Sequence, residues 1–407
     1  MKIAYLLFSV QHPTLPGSAR HYYFLRELST KHRITLLALS RTEVADPILR
    51  ELQDYCEACH FFLTHAKPPR QWTKWGWLGR RMFKLVSFRR AVSQMKNTLA
   101  DLLREQPFDL VLIHGKNLVR VVEDVGKVPI VSDFSDAASS RLRQSLQYAS
   151  ISQRLLLYIK LRNVRGLERA ILRKTPYNIF ISLNDAQQVV GRNGRACVIP
   201  NGVDLDFWRR GANQRQPNHL LLTGVMSYAP NHDAAVFLIS RILPQLRKRG
   251  LVVKVIIAGK SPLPELLALA QRWPEVTVTG YVEDIRFYYE QAGIFVAPLR
   301  FASGMQNKLL EAMAMELPVV TTRVAASGLR LRENGELPLL IAEDEEAFGQ
   351  RIQQLLENPV QSSELAGRGR RYVEQHFDWQ RGAEEFDKLF QKAVSQWQAE
   401  PNGSEGS

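Results

Sequence analysis

At 407 residues, with 45% hydrophobic, 9% aromatic and 23% charged side chains, the chain has the composition of a globular protein of two or three domains, and collagen-like and disordered classes are excluded. Its formal net charge of +14 attracts phosphate, whether on nucleotides, nucleic acid or an anionic bilayer. Cys56 and Cys59 form one C-x-x-C pair, Cys197 stands apart, and no second pair lies at zinc spacing, so the thiols read as reduced and no metal site is expected.

The first apolar run, Met1 to Phe8, is short and is followed by no small-residue cleavage site, so it reads as a β-strand and not as a signal peptide. The strands of this first series are predicted over 2–10, 34–39, 108–113, 129–132, 178–182 and 197–200, with helices over 22–31 and 92–105. The pattern then restarts, with strands over 220–223, 252–258, 276–279, 294–298, 318–322 and 339–341. Helices are predicted over 233–246, 264–272 and 306–316. Continuous apolar strands alternating with amphipathic helices predict parallel sheets covered on both faces. The reading is two doubly wound α/β domains, 1–207 and 219–378, joined by a polar linker over 208–218. A C-terminal helix and disordered tail follow over 379–407. Ligands of such sheets bind beyond the carboxyl ends of the strands, so two facing domains are expected to share a cleft. No run approaches the ~20 apolar residues of a membrane-spanning helix.

The most informative segment is Ser303-Gly304-Met305-Gln306-Asn307-Lys308-Leu309-Leu310-Glu311, a small-residue turn opening a helix. Such a turn leaves backbone N–H groups of Gly304, Met305, Gln306 and Asn307 at a helix N-terminus, where free amides and the helix dipole bind phosphate. Lys308 adds a cation, and Glu311, one turn on, can accept two hydrogen bonds from a vicinal diol such as a ribose. The alternative for Glu311 is an ordinary exposed helix residue. A lone carboxylate within Leu-Leu-Glu-Ala-Met-Ala is costly without a partner or ligand.

This region resembles the donor site of retaining glycosyltransferases of family four, the group-one glycosyltransferases, whose fold is GT-B, two facing Rossmann-like domains. Ile199-Pro200-Asn201-Gly202-Val203-Asp204 is similar to the family's interdomain segment, and Gly280-Tyr281-Val282-Glu283-Asp284 to its element before the donor strand. The resemblance implies nucleotide contacts at Gly259, Lys260, Tyr281, Val282 and Glu311. Diphosphate or sugar contacts are implied at Gly17, in the loop Leu15-Pro16-Gly17-Ser18-Ala19-Arg20-His21, and at Ser303 through Lys308. The segment 303–308 is also similar to sugar transferases of exopolysaccharide or exosortase-associated loci.

The chain departs from this pattern at four places. Ser303 stands where the family has the first Glu of its Glu-x7-Glu pair. Val225 and Asn231 stand at the family's Arg and Lys, which neutralise the leaving diphosphate, so Lys308, Lys260 or Arg300 is expected to replace them, Lys308 first. Ser135 replaces an N-domain histidine, and Asp136 follows as a candidate for an acceptor or sugar hydroxyl. His114, at the end of the strand over 108–113, is either a packing residue or a further acceptor or sugar contact.

Basic charge gathers between Arg70 and Arg90, with seven Lys/Arg, three Trp, two Phe and no acid, and a second basic stretch, Arg141–Lys174, carries Tyr158 and several leucines. Trp72, Trp75 and Trp77 beside Arg80 and Arg81 suit the headgroup boundary of an anionic membrane. A solvated basic helix face is the alternative; no nucleic-acid motif is present. The resulting expectation is a cytoplasmic enzyme lying on the inner face of the cytoplasmic membrane. It moves a sugar from a nucleotide-sugar donor to a lipid-linked, envelope or exopolysaccharide saccharide, with retention and without a cofactor. A non-catalytic transferase subunit and a nucleotide-sugar epimerase are the other readings.

Overall fold

The computed structural model describes residues 1–15, 19–64, 76–135, 137–148, 151–191, 196–302, 304–329 and 336–399. They form two compact units. The first comprises residues 1–181, 186–199 and 382–407, the second 182–185 and 200–381.

The first unit runs β1 (Lys2–Leu7), α1 (Arg20–Ser29), β2 (Arg33–Ser40), α2 (Asp46–Tyr55), β3 (Ala58–Leu63), α3 (Gly76–Glu105), β4 (Leu110–His114), β5 (Ile130–Ser135), α4 (Ala138–Tyr148), α5 (Ile151–Lys174), β6 (Tyr177–Phe180), α6 (Leu183–Val190) and β7 (Cys197–Val198). All seven strands are parallel, in the order β3-β2-β1-β4-β5-β6-β7. One sheet face packs Ala4, Leu6, Leu37 and Val111 against Ala91, Met95 and Leu99 of α3. Such strands are apolar on both sides because helices cover both faces. β3 is absent from the predicted elements: Ala-Cys-His-Phe-Phe-Leu is a half-buried edge strand paired only with β2.

The second unit runs β8 (His219–Thr223), α7 (Ala229–Phe237), a π turn (Leu238–Ile242), α8 (Leu243–Lys248), β9 (Lys254–Ala258), α9 (Pro264–Ala270), β10 (Val276–Gly280), α10 (Arg286–Gln291), β11 (Ile294–Ala297), α11 (Asn307–Ala314), β12 (Val319–Thr321), α12 (Arg323–Ala326), β13 (Leu340–Ile341), α13 (Glu345–Glu357) and α14 (Pro359–His376). Its strands are again all parallel, in the order β10-β9-β8-β11-β12-β13. The strand order reverses between β8 and β11, which is where doubly wound sheets open a ligand crevice.

The segment 208–218, read from the sequence as a linker, packs within this unit. Arg215 donates to the Met315 carbonyl at 3.2 Å, and the Gln216 amide to Gln291 at 2.9 Å. The closing helix α15 (Trp379–Ala399) joins the first unit from Gly382 onward. No described helix is long and apolar enough to cross a membrane.

Candidate functional site

At the carboxyl edge of the second sheet, the loops after β8 and β9 touch backbone to backbone. Gly224 and Gly259 have φ of 147° and 146°, a region only glycine enters without strain. A methyl group on Gly259 would stand 1.9 Å from the Gly224 carbonyl oxygen. The Gly224 amide donates to Ala258 at 3.1 Å, and the Met226 amide to Lys260 at 2.9 Å. The result is a rim of bare backbone beside the switch point.

Helix α11 begins on the other side of that switch point. Leu309, Leu310, Ala312 and Met313 are buried in the core, which leaves Lys308 and Glu311, three residues apart, together on the opposite face. Its cap residue Gln306 makes no side-chain cap hydrogen bond, so the first amides of the helix are not closed off by their own cap. Two guanidinium groups sit at its C-terminal end: Arg370 donates to Ala314 at 2.7 Å, and Arg215 to Met315. Cations there complement the negative end of the helix and fix its direction.

Lys308 donates to the Asn231 side chain, and Asn231 donates in turn to the Val225 carbonyl at 3.0 Å. A methyl group on Gly224 would lie 2.5 Å from the Asn231 amide nitrogen and 3.2 Å from Lys308 Nζ. The ammonium of Lys308 therefore stands on the Asn231 side chain. Burial pulls Lys308 down to about 8, with Glu311 partly offsetting it.

Glu311 accepts a hydrogen bond from Tyr289 at 3.1 Å, and the Tyr289 hydroxyl meets Thr223 Oγ1 at 2.8 Å. Tyr289 is fully buried and stacked on Phe295. Burial pushes Glu311 up to about 6, and the Tyr289 bond and Lys308 oppose that rise. An open cavity of about 650 Å³ lies along the glycine rim, bounded by Gly224–Val225, Gly259–Lys260 and Tyr281–Arg286, with Phe207. Tyr281 is 75% exposed on its wall. Arg286 pairs with Asp284 at 2.6 Å and lies over the Phe207 ring at 4.1 Å.

The expected nucleotide residues Gly259, Lys260, Tyr281 and Val282 thus line one cavity. Gly304, Met305, Gln306 and Asn307 form the turn into α11, where Asn201 donates to the Asn307 side chain at 3.0 Å. Arg300 is paired with Asp233 at 2.9 Å. Ser303, Gly17, Asp136, Trp72 and Trp75 lie outside the described residues, as do the side chains of Trp77, Arg80 and Arg81, whose backbone belongs to α3. Tyr289 and Thr223 were missed in the sequence, where neither stands in a motif.

In the first unit, His114 closes β4 at the carboxyl edge of the sheet. Its Nδ1 lies 3.2 Å from the Asp133 carbonyl and 3.3 Å from Ser135 Oγ. Its ring rests on that of His21, centroids 3.8 Å apart. His21 is fully buried against Tyr5, and burial first, then His114 and Arg20, hold its imidazole well below the usual range. Asp133 is paired with Arg20 at 2.9 Å and accepts the Ser135 amide at 2.7 Å. Among the described residues, His21, His114 and Asp133 are the cluster with metal-binding side chains. The stacked rings and the Arg20 pair already engage this donor set. Sequence reasoning singled out His114 but gave no role to His21, Asp133 and Arg20, although they stand in or beside the segments it compared; they meet only through the fold.

The family model for "Glycosyl transferases group 1" matches residues 217–358, the stretch that builds the Lys308–Glu311 face. Over that stretch the chain is similar to the group 1 glycosyltransferases. The capsular polysaccharide biosynthesis glycosyltransferase CapM of Staphylococcus aureus is 28% identical over 202 residues, 47% of this chain and 52% of CapM. The match therefore spans about half the length of that relative. Among solved structures, sucrose-phosphate synthase of Thermosynechococcus elongatus aligns with a TM-score of 0.68 at 16% identity, over 97% of this chain and 100% of that one. HepE of Anabaena, solved in complex with UDP, aligns with a TM-score of 0.62 at 15% identity, over 98% and 100%. The group 1 domain thus sits in a chain with the GT-B fold, as the sequence led us to expect.

Proposed function

We propose that the chain is a glycosyltransferase that moves a sugar from a nucleotide-sugar donor to a lipid-linked or cell-envelope saccharide. The observation that carries this reading is the placement of Lys308 and Glu311 on one face of α11, beside the bare backbone of Gly224 and Gly259. Phosphate oxygens take the amides at the start of α11 and the Lys308 ammonium. Glu311 accepts from the ribose diol, and the base occupies the cavity beside Lys260, Tyr281 and Val282. Gly17, Ser303 and Gly304 lie along the diphosphate and sugar, while His114 and Asp136 serve the acceptor or sugar from the first unit.

In the transfer, the bond between the anomeric carbon and the diphosphate oxygen breaks and a bond to the acceptor oxygen forms. The acceptor's proton passes to the leaving diphosphate. Lys308 neutralises that leaving group, taking over the charge that Val225 and Asn231 do not carry. Retention of configuration follows the family resemblance. A polysaccharide acceptor is supported by the likeness to CapM, and a uridine nucleotide by the HepE complex with UDP. The enzyme works at the inner face of the cytoplasmic membrane, with Trp72, Trp75, Trp77, Arg80 and Arg81 at the headgroup boundary.

Calorimetric titration with UDP, GDP and their sugars tests the reading. One of them is expected to bind, and Glu311→Ala to weaken it by about 10- to 100-fold, the worth of hydrogen bonds to a carboxylate. Binding by none, or unchanged binding in the variant, overturns it.

A further inference from the structure

Two helices of the first unit carry apolar side chains that its core does not use. Both α3 and α5 end at the amino edge of the sheet, where β4 and β6 begin. At ~1.5 Å per residue, their 30 and 24 residues span about 45 and 36 Å, whereas a six-residue strand spans ~20 Å. Their first turns must therefore stand beyond the carboxyl edge. Burial agrees: among the described side chains it begins at Ser87 on α3, continuing through Ala91, Met95 and Leu99, and at Leu161 on α5.

Upstream of those points, both helices hold hydrophobic groups in solvent. Met82, Leu85 and Val86 lie at helical spacing on α3, and Leu155, Leu156, Tyr158 and Ile159 on α5, each between 47% and 69% exposed. The same stretches are basic and free of acid. On α3, Lys84, Arg89 and Arg90 precede the first acid, Asp101; on α5, Arg154, Lys160 and Arg162 precede Glu168. Water-exposed clusters of this kind mark interaction surfaces, and their charge selects the partner. A second copy of the chain would set these cations against each other, whereas an anionic bilayer accepts both the cations and the aliphatic groups.

We infer that the start of α5, together with that of α3, is a docking surface for an anionic lipid bilayer. Leu155, Leu156 and Ile159 enter the acyl boundary, Tyr158 sits at headgroup level, and Lys160 and Arg162 take the phosphates. This rests on the membrane-surface reading above and extends it from the tryptophan segment to a second helix.

Co-sedimentation of the full chain with vesicles of phosphatidylglycerol and phosphatidylcholine, or of phosphatidylcholine alone, tests it. The wild type is expected to bind the anionic vesicles only, and less tightly at high salt. Leu155→Gln/Leu156→Gln/Ile159→Gln should bind on the order of 10-fold or more weakly. Lys160→Glu/Arg162→Glu should do the same, and circular dichroism will show both variants folded. If both α5 variants bind as wild type while Trp72→Ala/Trp75→Ala/Trp77→Ala does not bind, the α5 assignment is overturned and the tryptophan reading stands. A wild type that ignores anionic vesicles overturns both. A concentration-dependent dimer lost in the glutamine variant would assign the surface to self-association instead.

Discussion

Lys308 and Glu311 hold opposite charges three residues apart, and burial works against both. Glu311 rises from 4.5 to about 6 and Lys308 falls from 10.5 to about 8, so both are ionised mainly between those values. Nucleotide affinity is therefore expected to be highest in the window between about pH 6 and 8, peaking midway. It should fall above that window as Lys308 loses its proton, and below it as Glu311 gains one. Titrations across the range check this, with Lys308→Arg as the control, because a guanidinium keeps its charge and should flatten the alkaline limb. A wild type with no alkaline limb would show that another group supplies the cation. The stability effect has a definite sign as well. A carboxyl whose folded value lies above its unfolded one contributes stability below about pH 4.5, and that contribution is lost as pH rises through about 6. Glu311→Gln keeps an acceptor for Tyr289 without a buried charge, so it should be more stable than wild type at pH 7.5, by about 1–2 kcal/mol. That advantage should vanish at pH 4.5 in thermal melts at the two pH values.

The loops after β8 and β9 constrain their sequence more tightly than the helices do. Gly259→Ala combines a positive φ with a methyl group 1.9 Å from the Gly224 carbonyl oxygen, and a backbone carbonyl cannot step aside as a side chain can. We expect a loss of ~3 kcal/mol or more in stability and loss of UDP binding. Chemical denaturation checks the first and calorimetry the second, and a variant that melts like wild type would mean the two loops are free to part. These elements also show what the sequence could disclose. Strand–helix alternation, its restart near residue 220 and the opening of α11 were legible because local periodicity and turn chemistry write them. β3 was not, since a half-buried edge strand carries neither alternation nor a β-branched run. The upstream part of α3 was missed because burial begins only at Ser87, so Met82, Leu85 and Val86 before it mark no core-facing stripe. Partners such as Tyr289 for Glu311 and Asn231 for Lys308 lie 22 and 77 residues away. Strand order, and not spacing, brings them together.

At the scale of the whole chain, α15 matters most, because it completes a core that began more than 350 residues earlier. Phe386 and Phe390 are fully buried, the Phe386 ring lies 4.6 Å from that of Phe24, and Arg20 stacks on both Phe24 and Phe386. Gly382 has no room for a side chain, since a methyl group there would meet Phe24 at 2.7 Å. At the rim, His32 pairs with Asp387 at 3.3 Å and Tyr177 donates to Gln396 at 2.8 Å. The same Arg20 holds Asp133, beside His21 and His114, so the helix supports this cluster of the first unit through Arg20. Phe386→Ala is thus expected to cost about 3–5 kcal/mol and to confine its damage to one unit. Amide hydrogen exchange should show faster exchange in β1, β4 and β5 and wild-type protection in β8, β9 and β11, because local stability follows the core to which an element belongs. UDP binding, which we assign to the second unit, should survive at temperatures where the first unit is intact. Equal loss of protection in both sheets would show that the two cores unfold as one, and α15 would then be a support for the entire chain.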